Sequence, residues 1–516
     1  MPRPQKTGFL FLLCFLGLCA SHADHDLWGL LNFGRSFWKG PGFLWNDVFA
    51  YVPVKSPWIF HEWLAGVVFY PLYTRMGAWS LQLLRYALGL GAIFCCLALA
   101  AARMEKESGK TPEPGDTPGA PPSFKYITWC LLCGACLMYP GFSPGRAQAF
   151  TYFFFALLLL VLERAQEDKK RALFLLPPLF CLWANLHGGF AAGLVFFALY
   201  CVGSVLAKRP WRAQGLVFLS CIVAVAVNPY GIRLPLAVLG HSLSPQPEVP
   251  EWYSLWQCIT DGEYLSAVFL FLVSFAASAI LMSRTGMDDL PEILVSCAAL
   301  VLGVLHVRHL PFFGVCFAAY APAWAQRLPG PQGLTRRLRA AAVAFSLCVV
   351  FLSAPYWIRG AMHVLFPRLL GNPLSIRADS CEKMEAPACY PIGAVSFLKE
   401  NALGGKMLCQ YEWGSFISWV FYPEVTVAMD SRCETVYPED VRTAYFDFLL
   451  SRPGEGAFLS LYPPDLVLIR ANTQVHAFMA SRRDFTEVYR DGLAVLFSRD
   501  NAGRQVETVR LAPSER

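Results

Sequence analysis

The sequence predicts a mainly α polytopic membrane protein, with about 11 transmembrane helices and a C-terminal exported α/β domain. Of its 516 residues, 55% are hydrophobic and only 16% are charged. That balance, with a mean hydropathy of +0.42, excludes an ordinary soluble globular protein. Long apolar runs recur up to residue 357, and beyond that residue polar and apolar residues are mixed.

The predicted membrane spans are the apolar runs long enough to cross a bilayer core, which takes about 20 helical residues. A further apolar segment, 62–77, is shorter and contains Pro71. We interpret this segment as a juxtamembrane or re-entrant helix on the outer side. The spans lie near 8–22, 80–102, 125–140, 147–163, 172–187, 189–207, 213–228, 265–283, 290–306, 309–326 and 338–357.

Basic residues set the predicted orientation. With 62–77 outside the membrane, the loops on the side of the N-terminus hold most of the Lys and Arg residues, among them Arg103, Arg209 and Arg327. The positive-inside rule therefore places the N-terminus in the cytoplasm. Because most basic residues lie in short loops beside apolar spans, the net charge of +6 does not indicate nucleic-acid binding.

Two domains are predicted. Residues 1–357 form the transmembrane domain, which includes a first outer loop at 23–79, and residues 358–516 form the exported α/β domain. The second domain has about 150 residues, an ordinary domain size. It contains the apolar alternations "EVTVAMD" and "DLVLIRA" and a helical run near 391–401. An exported location would permit a disulfide between Cys381 and Cys389.

The stretch "SHADHD" directly after the first apolar run has two interpretations. Residues 1–23 fit a signal peptide, with Arg3 and Lys6 before an apolar run and Ser-His-Ala before Asp24. Cleavage after Ala23 would leave the remaining topology unchanged. Alternatively, Asp24 and Asp26 form an acidic active site held at the membrane surface by the first helix. We favour the active site.

Polar side chains gather in the predicted outer turns. Ionisable groups at membrane depth are energetically costly, so their presence favours a functional interpretation. Any single one of them could instead be an ordinary polar residue at the end of a helix. A pocket with carboxylates for base chemistry and Arg or His for anions suits a substrate with a hydroxyl and a phosphate. The candidates are Asp24, Asp26, His61, Glu62, Arg85, Arg146, Asn185, His187, Tyr230, Arg308 and His309.

The first outer loop resembles that of the GT-C superfamily of membrane glycosyltransferases, above all a poorly characterised bacterial branch. The pattern D-x-D-L-W … G-R … D … F … W … E-W-L is met here from Asp24 to Leu64. "NLHGGF", "NPYG" and "YEWGSFISWVF…VTVAMDSR" also resemble that branch, so the similarity covers nearly the whole chain. More distantly, the chain is similar to aminoarabinose transferase, protein O-mannosyltransferase and oligosaccharyltransferase catalytic subunits. The matching residues are Asp24, Asp26, Leu27, Trp28, Gly34, Arg35, Asp47, Phe49, Trp58, Glu62, Trp63 and Leu64.

The resemblance implies a transferase that uses a polyprenyl-phosphate-linked sugar at the outer face of the bacterial cytoplasmic (inner) membrane. Its partners would be that donor, membrane lipids, and a glycan, lipid or protein acceptor, with no nucleic acid. Asp24 or Asp26 would be the base, and the pair could also bind Mg²⁺ or Mn²⁺, although other GT-C enzymes work without metal. A non-catalytic scaffold or transport component of envelope polysaccharide assembly is the alternative.

The resemblance also implies that basic residues hold the lipid phosphate. From their predicted side of the membrane and their charge alone, the candidates for the donor phosphate are Arg146, Arg308, His309 and Arg85. From their place on the same side, the pocket would be lined by His61, Glu62, Asn185, His187 and Tyr230. Tyr411, Glu412 and Trp413, in "YEWGS", would contact the acceptor by a loose likeness to an oligosaccharyltransferase motif. Alternatively, Trp413 and Tyr411 are part of the domain core.

Overall fold

The computed structural model describes residues 4–108, 124–166, 170–243, 249–327, 336–370, 372–376, 390–454, 456–499 and 509–510. Cys381 and Cys389, the predicted disulfide partners, lie outside these residues. In the described part the chain is mainly helical, and its strands all lie in the C-terminal region. The predicted combination of a mainly helical chain with a C-terminal α/β region is therefore confirmed.

The structure has helices in every predicted apolar run and further helices outside these runs. In chain order they are α1 (Pro4–Leu18), α2 (Asp26–Lys39), α3 (Trp63–Pro71), α4 (Ala78–Ser108), α5 (Phe124–Met138), α6 (Gln148–Gln166), α7 (Leu176–Leu186), α8 (Phe190–Leu206), α9 (Arg212–Ala224), α10 (Arg233–Leu243), α11 (Leu255–Asp261), α12 (Leu265–Met282), α13 (Leu290–Leu305), α14 (Leu310–Ala325), α15 (Arg336–Leu365), α16 (Pro367–Leu370), α17 (Ile392–Glu400), α18 (Tyr411–Phe421), α19 (Cys433–Val436), α20 (Glu439–Leu449), α21 (Ala457–Leu461) and α22 (Gln474–Ser481).

Each of the eleven predicted spans coincides with one of these helices. Among the described residues, four helices are long and apolar enough to cross a membrane. They cover Ala78–Glu107, Gln148–Gln166, Leu265–Met282 and Val343–Leu365. The count of eleven crossings therefore stays a prediction. The segment 62–77 is helical as expected, as α3 followed by a π-helical turn at Leu72–Met76.

The chain divides into two compact units. The helical unit comprises Met1–Ser21, Gln82–Ser143 and Ala147–Leu374, and the loop–sheet unit comprises His22–Leu81, Pro144–Arg146 and Ser375–Arg516. The segment after the first helix thus shares a compact unit with the C-terminal region. The boundary predicted at residues 357 and 358 stays a prediction.

Within the helical unit, glycines bring helices α5 and α14 into close contact. A β-carbon at Gly134 would lie 2.5 Å from the carbonyl oxygen of Gly314, and one at Gly314 would lie 2.7 Å from that of Gly134. No larger residue fits at that spacing, so the two backbones touch directly. The side chains of α14 are almost all buried, which makes this helix the centre of the unit.

A mixed six-stranded sheet forms the core of the loop–sheet unit. Its strands are β1 (Gly405–Cys409), β2 (Val425–Val427), β3 (Leu466–Arg470), β4 (Phe485–Arg490), β5 (Ala494–Arg499) and β6 (Val509–Arg510). Their order is β2-β1-β3-β5-β4-β6, with β1 parallel to β2 and β3, and β5 antiparallel to β3 and β4. The alternations "EVTVAMD" and "DLVLIRA" contain β2 and β3.

The first loop is built into this sheet. Phe49 O accepts a hydrogen bond from Val427 N at 2.9 Å, and Tyr51 N donates to Val427 O at 3.2 Å. The loop therefore covers the edge strand β2, whose backbone groups would otherwise lack partners on that side. Through this pairing the segment that carries Asp24 and Asp26 is anchored in the same unit as the sheet.

Candidate active site

Asp24 and Asp26 lie at the start of helix α2. The Asp24 carboxylate Oδ1 accepts a hydrogen bond from the Asp26 N–H at 3.1 Å, the local turn that Asp commonly makes before a helix. The Asp24 N–H donates to Pro144 O at 3.0 Å. Both carboxylates therefore sit at the positive end of the α2 dipole, where negative charge is favoured.

Arg146 faces both carboxylates. Its Nε lies 3.3 Å from Asp26 Oδ2, and its Nη1 lies 3.8 Å from Asp24 Oδ2. The Asp24 side chain is 13% exposed and that of Asp26 is 28% exposed, so a molecule in solution reaches Asp26 more easily. The structure thus brings the two residues predicted as the base together with Arg146, a predicted cation for the phosphate that lies more than a hundred positions further along the chain.

Tyr390 closes one side of the acid pair and was not predicted. Its hydroxyl donates to Ala23 O at 3.1 Å, and its ring lies 6.0 Å from those of His25 and Trp28. Burial raises the pKa of Tyr390 well above its ordinary value, and the carboxylates of Asp24 and Asp26 raise it further. The hydroxyl therefore stays protonated at physiological pH. An isolated Tyr far along the chain carries no sequence signal for this position.

Trp28, the third residue of α2, packs among further aromatic side chains beside the acid pair. Its ring centroid lies 5.0 Å from that of Phe416, on α18, and 6.3 Å from that of Trp419. Tyr73 meets Trp28 edge to face at 6.4 Å. Aromatic faces beside carboxylates are a surface on which a sugar ring or a prenyl chain can pack.

Helix α18 begins with the predicted acceptor residues. Trp413 is fully buried, with the Arg470 guanidinium 5.4 Å from its ring, so it occupies the core of the loop–sheet unit. Glu412 Oε2 accepts from Arg470 Nη2 at 2.5 Å, and the Tyr411 ring lies 5.7 Å from that of Phe446. Tyr411 and Glu412 are only half-buried, and the acceptor role of all three residues stays a prediction.

His61 and Glu62, predicted to line the pocket, lie directly before α3. His61 Nε2 is 3.8 Å from Glu62 Oε1, so the two side chains face each other. Both belong to the loop–sheet unit. Their place beside a substrate stays a prediction.

In the helical unit, Arg308 and His309 belong to a compact aromatic and basic cluster. The Arg308 guanidinium lies 4.4 Å from the centroid of the Trp252 ring, a cation–π contact. His306 Nδ1 is 2.7 Å from Trp252 O, and the His309 ring is 5.9 Å from that of His306. Two predicted residues thus lie together, and Trp252, in "PEWY", was not predicted.

The other predicted residues of the helical unit make hydrogen bonds within that unit. Arg85 donates to the carbonyls of Leu18, Ala20 and Phe142, and Asn185 donates to those of Cys181 and Val227. His187 Nδ1 is 2.9 Å from Thr151 Oγ1 and accepts from Gly189 N, and Tyr230 N donates to Asn228 Oδ1. These bonds hold helix ends in place. A substrate contact by any of the four stays a prediction.

The two carboxylates of the acid pair face the Arg146 guanidinium. In proteins Mg²⁺ is commonly held by one or two carboxylates together with waters and substrate phosphates. In the described part of the chain, no group of three or more His, Cys, Asp or Glu side chains could hold a metal ion. A divalent metal at Asp24 and Asp26 stays a prediction.

No protein-family model matches this chain, and no curated protein matches it by sequence. Solved structures do resemble it. The oligosaccharyltransferase AglB of Archaeoglobus fulgidus, in complex with an inhibitory peptide and a dolichol-phosphate, has a TM-score of 0.52 and 11% sequence identity. That likeness covers 90% of this chain and 69% of AglB.

Two further structures show the same likeness. ArnT of Cupriavidus metallidurans, bound to undecaprenyl phosphate, has a TM-score of 0.51 at 12% identity over 97% of this chain and 98% of its own. The arabinofuranosyltransferase AftD from Mycobacteria has a TM-score of 0.51 at 15% identity over 97% of this chain and 40% of its own. At such identities a likeness establishes the fold alone. The chain therefore has a fold like that of GT-C glycosyltransferases, and the resemblance inferred from its sequence is confirmed.

Proposed function

We propose that this chain is a membrane glycosyltransferase. In this proposal it moves a sugar from a polyprenyl-phosphate-linked donor to an acceptor hydroxyl at the outer face of the bacterial cytoplasmic membrane. The observation that carries the proposal is the cluster of Asp24, Asp26 and Arg146 at the start of α2. The fold supports it, because AglB and ArnT, which share that fold, are bound to dolichol-phosphate and undecaprenyl phosphate.

The reaction needs a base. A carboxylate of the pair takes the proton of the acceptor hydroxyl while the hydroxyl oxygen attacks the anomeric carbon of the sugar. The new bond joins that oxygen to the anomeric carbon. The bond from the anomeric carbon to the phosphate oxygen breaks, and the lipid phosphate leaves with the electron pair. Asp26 is the more exposed carboxylate, and Asp24 is the one oriented by the backbone.

The leaving phosphate gains negative charge, which fixed cations stabilise. Arg146 suits this role because a guanidinium has five N–H donors and can bind carboxylates and a phosphate oxygen together. In the helical unit, Arg308 is proposed separately as a ligand for a lipid phosphate, because its cation is held in place by the Trp252 ring.

The decisive experiment is complementation of a deletion strain with Asp24→Asn, Asp26→Asn and the double variant. The side-chain oxygen of Asn at position 24 can still accept the hydrogen bond from the backbone N–H of residue 26, so the start of α2 is retained. The readout is mass spectrometry of polyprenyl-linked sugars and surface glycans. We expect a lipid-linked sugar to accumulate and a glycan to disappear in the deletion strain and the double variant.

The matched control is Asp447→Asn, which changes a carboxylate of α20 that pairs with Arg452 on the surface. It should restore the glycan fully, at the same protein level as the other variants. The single variant with the larger loss identifies the base. Full restoration by the double variant would exclude a catalytic acid pair and favour a scaffold or transport component.

A further inference from the structure

A cleft of about 540 Å³ opens at one end of the helical unit. It lies between the C-terminal end of α6, the 3₁₀ turn Lys170–Leu175 and the segment that leads into α9. On the sequence prediction this end faces the cytoplasm. The proposed glycosyl transfer makes no use of it.

The cleft is basic. Lys170, Lys208, Arg209 and Arg212 line it, and none of its described lining residues is acidic. Arg209 is already paired, since its Nη1 lies 2.7 Å from Glu292 Oε1. The ammonium groups of Lys170 and Lys208 and the guanidinium of Arg212 are on exposed residues. Their summed charge favours an anion in the cleft.

Two amide side chains in the lining leave hydrogen-bonding atoms unsatisfied. Gln214 is 2% exposed, and its Oε1 has no hydrogen-bond partner among the described residues. Gln166 Nε2 is likewise buried and unsatisfied within the described chain. A buried polar atom without a partner is costly. A ligand with both an acceptor oxygen and a donor hydroxyl would satisfy both amides.

An apolar surface continues from the mouth of the cleft. Leu216, Leu219 and Val223 follow one another at helical spacing along α9 and are 68%, 60% and 70% exposed. Trp211, which lines the cleft, is also exposed, and Trp is enriched at membrane interfaces. Because 213–228 is a predicted span, this face would meet the acyl chains of the bilayer, so a lipid can reach the cleft directly from the membrane.

We propose that the cleft binds the head group of an anionic phospholipid, with its acyl chains along the exposed face of α9. Lys208 and Arg212 hold the phosphate, Gln166 donates to a phosphate oxygen, and Gln214 accepts from a head-group hydroxyl. Basic pockets between helices on the cytoplasmic side are the sites at which such head groups bind. The proposal rests on the membrane location proposed above, and it is independent of the transfer chemistry.

The test uses the full chain in nanodiscs of phosphatidylcholine that contain a minor fraction of brominated lipid. Bromine quenches nearby Trp fluorescence, and subtracting the signal of a Trp211→Phe variant isolates Trp211. We expect brominated phosphatidylglycerol to quench Trp211 far more than brominated phosphatidylcholine does, with an enrichment at the cleft on the order of tenfold.

The variant Lys208→Gln with Arg212→Gln should reduce the quenching by phosphatidylglycerol to the level of phosphatidylcholine. Its matched control is Arg171→Gln with Arg284→Gln, which removes two exposed cations outside the cleft and should change nothing. Equal quenching by both lipids in the unmodified chain would overturn the proposal. If glycerol phosphate reduced the quenching of Trp211 while the two brominated lipids quenched it equally, the proposal would also be overturned, in favour of a soluble anion.

Discussion

At the scale of single residues, Arg432 links two buried carboxylates and two aromatic rings of the loop–sheet unit. Its Nη1 lies 2.5 Å from Asp47 Oδ1, and its Nε lies 3.0 Å from both carboxylate oxygens of Asp430. The rings of Phe49 and Trp58 lie at 5.1 and 4.8 Å from its guanidinium. Burial alone would lower the pKa of Arg432, but Asp430 and Asp47 raise it well above its usual value.

We expect Arg432→Lys to destabilise the protein although it keeps the charge. An ammonium cannot bond both carboxylates through a planar fork or stack on the two rings. Loss of one charged hydrogen bond corresponds to roughly 2 kcal/mol in the free energy of unfolding. The measurement is the Tm of the purified protein in detergent.

The control for that prediction is Arg452→Lys. Arg452 is an exposed residue whose Nη1 lies 3.6 Å from Asp447 Oδ1, a surface pair that contributes little. Its Tm should match that of the unmodified chain. If Arg432→Lys behaved in the same way, the buried pairs with Asp47 and Asp430 would add nothing measurable to stability.

At the scale of elements, two polar side chains of helix α2, Asn32 and Arg35, bind the backbone of helix α18. Asn32 Nδ2 donates to Ser415 O at 3.0 Å, and Arg35 donates to Ser418 O and Trp419 O. Ser418 O also accepts from the Tyr422 N–H at 3.0 Å, whereas Trp419 O has no helical donor four residues on, because residue 423 is proline. Arg35 therefore caps that helix end. The polar residues of α2 therefore position α18 beside the acid pair.

The crossing of α2 and α3 requires glycine at position 34. A β-carbon there would lie 2.2 Å from Gly66 O and 2.5 Å from Tyr70 Cβ. We expect Gly34→Ala to push the helices apart and to cost about 1 to 3 kcal/mol, as overpacking does. Since α2 carries Asp26, transferase activity should fall together with the Tm.

The comparison variant for Gly34→Ala is Gly240→Ala. Gly240 lies in α10, where an added β-carbon meets no atom within 4 Å. Its Tm should stay unchanged or rise, because Ala favours a helix over Gly by about 1 kcal/mol. An unchanged Tm for Gly34→Ala would show that α2 and α3 are packed more loosely than the geometry indicates.

The sequence predicts long elements better than short ones, for a physical reason. An apolar run of span length has few alternatives to a helix, so each predicted span coincides with one. Helices α10 and α11 have 11 and 7 residues, too few to span a bilayer core, and were not predicted. Strand β1 (GKMLC) lacks the alternation that made β2 and β3 visible.

At the scale of the whole molecule, contacts between distant residues limit what the sequence can predict. The acid pair and Arg146 were found because ionisable groups near apolar spans are rare. Tyr390 and Trp252 were missed, since their roles depend on which segments pack together. Arg103, Arg209 and Arg327 were interpreted as loop cations, but the structure places all three in one ion-pair network.

This network joins helices across the helical unit. Arg103, on α4, lies 2.8 Å from Glu163 of α6, 2.5 Å from Asp289 and 2.6 Å from Glu292 of α13. Arg209 also bonds Glu292, and Arg327 bonds Asp289 and Glu107. Three arginines thus face four carboxylates, and Arg103 is the one that contacts three of them.

We expect Arg103→Met to lower the Tm strongly, because it leaves buried carboxylates without their cation, a loss of about 3 to 5 kcal/mol. Adding Glu163→Gln should recover part of the loss, since it removes one uncompensated charge. Arg171→Met, at an exposed position, is the matched control and should leave the Tm unchanged. If Arg103→Met were as stable as that control, or if Glu163→Gln gave no recovery, the network would not hold these helices together.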